Sequence, residues 1–96
     1  PQRLRLKSAA AAIHQQAGDV ANALRAYKEA LHFDEGNAWL CHQISVLHHE
    51  QEDFEEAVRF NERALKLQPE LAEAQQLKEL LSEQQRSSGI LGRFFG

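Results

Sequence analysis

The 96-residue sequence contains no methionine, one cysteine, two prolines and five glycines. Its single cysteine, Cys41, excludes an internal disulfide and is consistent with a reducing compartment, so we expect a cytoplasmic protein. No apolar run approaches the roughly 18 residues that a membrane span needs, and no signal-peptide pattern opens the chain. Because the chain begins at Pro1 and has no methionine, we expect either a processed chain or, in preference, a piece of a longer protein.

The sequence also lacks a strong charge imbalance. Its net charge of −3 gives no reason to expect a nucleic-acid partner. Hydrophobic residues make up 43% of the chain, which is enough for the thin core of one small domain. No segment shows the two-residue alternation of a β-strand, so the composition and pattern predict an all-α protein.

Between the few glycines and prolines, apolar residues recur at helical spacing and predict five helices. Gly18 and Asp19 are typical of a helix end followed by an N-terminal cap, and Asp53 is expected to repeat that cap. Pro69 is expected to end a helix, and residues 86–89 to form a flexible linker. The predicted helices cover residues 3–17, 20–33, 38–51, 54–67 and 71–85.

The turns before the two caps differ in sequence. Glu52 stands where the first turn has Gly18, so the second turn is expected to be less favourable. Glu56, three residues after Asp53, predicts a capping box at the start of the helix that follows.

The sequence repeats itself once at a spacing of 34 residues. The identical pairs are Leu6 and Leu40, His14 and His48, Asp19 and Asp53, Ala23 and Ala57, Arg25 and Arg59, Ala30 and Ala64, and Leu31 and Leu65. A period of this length indicates a helical unit that is copied and stacked, because one unit cannot bury its apolar face alone. This organisation favours a binding scaffold over an enzyme.

Two helices in 34 residues, with small residues in the second helix of each pair, resemble the tetratricopeptide repeat (TPR). The matching positions are Ala23, Tyr27 and Ala30 in the first copy, and Ala57, Ala64 and Pro69 in the second. Asn61 takes the aromatic position of the second copy, and we expect the neighbouring Phe60 to cover part of that space.

The chain departs from the family pattern at small and aromatic positions. Ala11 and Ser45 replace the usual glycine, and we expect these small residues to let the two helices of each pair approach closely. His14 and His48 stand at the tyrosine position, where we expect them to fill the layer between helices as aromatic substitutes.

The resemblance implies a TPR-like α-solenoid with two helix-turn-helix repeats and a C-terminal capping helix. The implied domain covers residues 1–86, and residues 87–96 form a flexible apolar C-terminal tail. Within that domain the repeats are 4–37 and 38–71, and the capping helix is 71–85.

The resemblance also implies that the first helix of each pair lines a concave groove, which would make the chain a protein-protein interaction scaffold that binds a peptide or helix of a partner. Trp39, the only tryptophan, is either an exposed hot spot or buried against the turn. Ser8 and Ala12 replace the Lys and Asn with which some family members grip chaperone tails, so that activity is not expected. The implied partner-binding positions are Arg5, Ser8, Ala12, Gln15, Trp39, His42, Val46 and His49.

No residue pattern points to catalysis, a metal or another cofactor. The five histidines include no pair at the i, i+4 spacing of helical metal ligands, and Cys41 has no motif beside it. We therefore expect a structural role for Cys41 as a packed thiol. The histidines are His14, His32, His42, His48 and His49.

An alternative function remains open at this point, namely self-association of a larger protein through an end face or the C-terminal tail. Two repeats are fewer than the usual minimum of about three, so a homo-oligomer would extend the stack. Phe94 and Phe95 are the candidate contact residues of the tail, because exposed aromatic residues seldom remain without a partner in water.

Overall fold

A computed structural model describes the backbone of residues 18–95 and the side chains of residues 18–86. The described residues form four helices and no strand, which confirms the all-α class. The first predicted helix, at residues 3–17, lies outside this range. The helices are α1 (Val20–Phe33), α2 (Ala38–Glu50), α3 (Phe54–Leu67) and α4 (Ala72–Phe95).

Three helices begin at a residue whose side chain caps the first turn. Asp19, Asn37 and Asp53 each accept a hydrogen bond from the backbone N–H three residues later, at 3.3, 3.1 and 3.5 Å respectively. Such a cap satisfies one of the free amides of the first turn and contributes about 1 kcal/mol. The caps explain why α1, α2 and α3 begin at the predicted residues.

The turn between α2 and α3 is a Schellman motif without glycine. The backbone N–H of Glu52 donates to the carbonyl of His49 at 3.0 Å, and that of Asp53 donates to the carbonyl of His48 at 2.9 Å. This geometry gives Glu52 a φ of +61°, close to the +78° of Gly18 in the preceding turn. The less favourable second turn predicted from the sequence is therefore confirmed.

The capping box predicted at Asp53 and Glu56 does not close. The backbone N–H of Asp53 already donates to the carbonyl of His48, so it does not donate to the Glu56 carboxylate. Glu56 instead lies 3.1 Å from the guanidinium of Arg59, one turn along α3.

Small residues set the distance between the helices. Four alanines at the family positions, Ala23, Ala30, Ala57 and Ala64, are completely buried. Ser45 of α2 is also completely buried, and its hydroxyl donates a short hydrogen bond to the carbonyl of Ala57 in α3. The small residue predicted at position 45 thus lets the two backbones approach and also satisfies its own hydroxyl.

The helix α4 packs on the end of this stack, mainly against α3. Its buried residues Ala74, Leu77 and Leu81 follow one face of the helix. Asn61 of α3, also buried, donates from its side-chain amide to the carbonyl of Ala74 at 2.8 Å. The residue that replaces the family's aromatic therefore joins α3 to α4.

The structure differs from the prediction at the end of α4. The helix continues to Phe95 instead of ending at Gln85, so the linker predicted at residues 86–89 is helical. No proline follows Pro69, and a single glycine such as Gly89 costs a helix only about 1 kcal/mol. Serine and glycine in this segment were therefore insufficient to end the helix.

Candidate binding surface

Trp39 lies in the first turn of α2 and points outward. Its side chain is 48% exposed, which excludes burial against the turn, one of the two alternatives left open by the sequence. The indole packs against the imidazole of His42, with ring centroids 5.4 Å apart and an angle of 45° between the ring planes. The tryptophan is therefore exposed on one side and supported on the other.

His42 lies beneath Trp39 and is only 6% exposed. Burial lowers the pKa of its imidazole below the usual value, and the nearby Glu73 carboxylate of α4 opposes that shift. Among the described residues, Nδ1 of His42 has no hydrogen-bond partner. His42 thus supports Trp39 as a neutral ring, with the Glu73 carboxylate at the start of α4 nearby.

Val46 and His49 follow on the same side of α2 and are partly buried. Val46 packs against a buried cluster formed by Ala57, Leu77 and Leu81, while the ring of His49 lies 5.7 Å from that of Phe54. Of the predicted positions on α2, Trp39 is the most exposed. The predicted positions Arg5, Ser8, Ala12 and Gln15, like the side chains of Phe94 and Phe95, lie outside the described residues.

The sequence reasoning missed a second row of residues on α4. Glu73, Gln76 and Leu80 are three and then four residues apart, so they share one face of the helix, and all three are exposed. This face lies next to α2, because α4 contacts α2 directly and Val46 of α2 packs against the cluster that contains Leu77. The Glu73 carboxylate is also close enough to His42 to raise the pKa of its imidazole against the effect of burial. The helical spacing of these residues, with Leu80 among glutamates and glutamines, was the signal available in the sequence.

We call the combined area the α2–α4 surface. Its apolar members include Trp39 and Leu80, which are among the few large hydrophobic residues exposed in the described part of the chain. Glu50, one turn after Val46, lies at the end of α2 and is also exposed. The α2–α4 surface is defined as Trp39, Val46, His49, Glu50, Glu73, Gln76 and Leu80.

Two other groups that the sequence singled out are buried in the core. His48 stacks on Phe60, with ring centroids 5.8 Å apart and nearly parallel planes, so the predicted role of His48 as an aromatic substitute is confirmed. Cys41 is completely buried, and burial raises the pKa of its thiol. A buried thiol with a raised pKa packs as a small apolar residue and is a poor nucleophile.

A metal site or a membrane-spanning helix would each indicate a different function. Across residues 18–86, no group of three or more His, Cys, Asp or Glu side chains is arranged to hold a metal ion. None of the helices in the described part of the chain combines the length and the apolar character that crossing a membrane requires.

The comparisons with known proteins agree with this architecture. A family model described as tetratricopeptide repeat matches residues 14–81. No match was found among curated proteins. Repeats of this family generally mediate protein-protein interaction and are typically non-enzymatic scaffolds. Because the match covers most of the chain and includes all of α1, α2 and α3, the chain belongs to the tetratricopeptide repeat family.

Proposed function

We propose that this chain is a protein-interaction module that holds a peptide or helix of a partner against the α2–α4 surface. The observation that carries the proposal is the half-exposed Trp39, supported from beneath by the buried His42. Tryptophan is enriched among the residues that dominate binding energy at protein interfaces. A ring that is already held in place loses little conformational entropy when a partner covers it.

The proposal includes no catalytic role. The side chains of the α2–α4 surface offer a hydrophobic strip flanked by carboxylates, which suits the binding of a polypeptide. Cys41, the one thiol, lies completely buried and away from solvent. The remaining groove positions predicted from the sequence, Arg5, Ser8, Ala12 and Gln15, form part of the same proposal.

A selection from a random peptide library displayed on phage tests this function for partner segments of any sequence. Peptides that bind the unaltered chain are synthesised, and their affinities are measured for the unaltered chain and for Trp39→Ala. We expect the substitution to weaken binding about 30-fold or more, the effect of losing a central hot-spot residue. Circular dichroism should show unchanged helicity, because Trp39 is half exposed.

Leu67→Ala is the matched control. Leu67 is 43% exposed, so it is also a large apolar side chain at the surface, but it lies at the end of α3 instead of on the α2–α4 surface. We expect its truncation to change peptide affinity less than about twofold. Peptides that bind Trp39→Ala as tightly as the unaltered chain would contradict the proposal.

The end of α4 favours self-association as a second candidate function. Gln84 and Gln85 lie beside Phe54 at the start of α3, so the ten residues after Gln85 extend about 15 Å beyond α3. Sedimentation of the full chain and of a chain ending at Gln85 separates the two functions. A dimer that only the full chain forms would support self-association, and two monomers would exclude it.

A further inference from the structure

We propose that the partner segment bound by the α2–α4 surface is basic, with apolar side chains between its positive charges. This inference rests on the proposed function and adds the chemistry of the partner. It depends on which charges surround the apolar strip of Trp39, Val46 and Leu80.

Carboxylates flank this strip on both helices. Glu73 lies near His42 in the first half of α2, and Glu50 is exposed at the end of α2. Eight residues separate His42 from Glu50, so the two carboxylates are about 12 Å apart along the helix axis. Trp39 lies three residues before His42, so a bound segment meets the Glu73 carboxylate beside Trp39 at one end of the apolar strip and Glu50 at the other end.

The basic residues of α4 whose side chains the structure describes, Lys78 and Arg86, lie on other faces of the helix. Lys78 lines the cleft between α4 and α3, together with Val58 and Glu62. Arg86 lies with Lys78 along a depression on the same side as Gln75 and Ser82. None of the positions that define the α2–α4 surface is a lysine or an arginine. The surface therefore presents net negative charge around an apolar centre.

This pattern specifies a complementary partner. Lysine or arginine side chains about 12 Å apart face Glu73 and Glu50, and aromatic or branched aliphatic side chains beside and between them cover Trp39 and Leu80. In a helical partner that distance is about eight residues, and in an extended one about four. An acidic segment would place like charges next to these carboxylates, which disfavours its binding.

The experiment repeats the phage selection with three proteins: the unaltered chain, Glu50→Gln/Glu73→Gln and Glu62→Gln/Glu70→Gln. Both double variants remove two exposed carboxylates, but only the first removes them from the α2–α4 surface. We expect peptides selected on the unaltered chain to be enriched in Lys and Arg relative to the library. Glu50→Gln/Glu73→Gln should weaken their binding about fivefold to tenfold, and the control less than twofold.

The possible outcomes separate this inference from the proposed function. Peptides that depend on Trp39 but show no enrichment in Lys and Arg would overturn the inference and leave the proposed function standing. Equal losses in the two double variants would also overturn it, since the effect would then come from net charge alone. A selection that yields no peptide dependent on Trp39 would overturn both.

Discussion

At the scale of single residues, Glu52 is the position where the local sequence opposes the backbone conformation. Its φ of +61° lies in the left-handed region, which costs a residue with a side chain about 1 kcal/mol relative to glycine. The same turn in the preceding copy has Gly18 at φ +78°, where the backbone carries no such cost. Both copies of the turn thus have a residue with a left-handed backbone, but only the first copy has glycine at that position.

Glu52→Gly should therefore stabilise the protein by about 1 kcal/mol and raise the melting temperature by about 4–8 °C. Thermal unfolding followed by circular dichroism measures the change. Glu52→Ala is the control, because it removes the charge but leaves a side chain in the left-handed region, so we expect little change. An unchanged or lower melting temperature for Glu52→Gly would show that the turn is not strained.

A second prediction at this scale concerns the buried His48. Burial lowers the pKa of its imidazole; Lys28 and Arg59 also lower it, whereas Asp53 and Glu56 act in the opposite direction. The folded state therefore binds a proton less readily than the unfolded state, whose histidine pKa is about 6.5. The stabilising contribution of neutral His48 is complete above pH 6.5 and decreases as the pH falls from there toward the lowered pKa.

We expect the melting temperature to decrease between pH 7.5 and pH 5, and His48→Phe to reduce that decrease. Phenylalanine keeps an aromatic ring against Phe60 and cannot be protonated. His32→Gln is the control, because it removes an exposed histidine at the end of α1 instead of a buried one. An identical pH profile for His48→Phe and the unaltered chain would contradict this explanation.

At the scale of helices, the junction between α3 and α4 depends on a polar contact where the family has an aromatic residue. The side-chain amide of Asn61 donates to the carbonyl of Ala74, and Asn61 is almost completely buried. Leaving a buried hydrogen-bond donor without its acceptor lowers the free energy of unfolding by about 1–3 kcal/mol. Placing two acceptors against each other has a similar effect. Replacing the side-chain nitrogen of residue 61 with oxygen should therefore weaken the packing of α4 against α3.

Asn61→Asp replaces the donor with an acceptor of the same shape facing the Ala74 carbonyl. We expect the free energy of unfolding, measured with urea, to decrease by about 2 kcal/mol or more at neutral pH. Gln68→Glu makes the same amide-to-acid change at an exposed position and should shift it by less than about 0.5 kcal/mol. Equal effects of the two substitutions would mean that the Asn61 contact does not hold α4.

The helix boundaries show what the sequence could predict. The starts of α1 and α3 were predicted correctly because the capping residues Asp19 and Asp53 act within one turn of the chain. The end of α4 was missed because serine and glycine permit a helix to stop but do not force it. The α4 side of the α2–α4 surface was missed for another reason. Helical spacing shows that Glu73 and Leu80 share a face of α4, but only the packing of α4 against α2 shows which helix that face lies beside.

At the scale of the whole molecule, the described helices pack around two clusters of buried residues. Buried residues of α1, α2 and α3 pack in one cluster that also reaches Ala74 of α4, and a second cluster joins Ala57 to Leu77 and Leu81. Stacking of this kind leaves the sides of the helices that do not face a neighbour free to meet a partner. The α2–α4 surface lies on such a side, and the chain's single tryptophan stands on it in the first turn of α2.

The most direct test of this account is the fluorescence of Trp39 during titration with a peptide selected from the library, with anisotropy of the labelled peptide as an independent measure of binding. Trp39 is the only tryptophan, so the emission reports the α2–α4 surface alone when the peptide contains none. The account predicts that the emission maximum moves to shorter wavelength in step with the anisotropy, because the partner removes water from the exposed indole. Binding that saturates by anisotropy while the emission stays unchanged would contradict it.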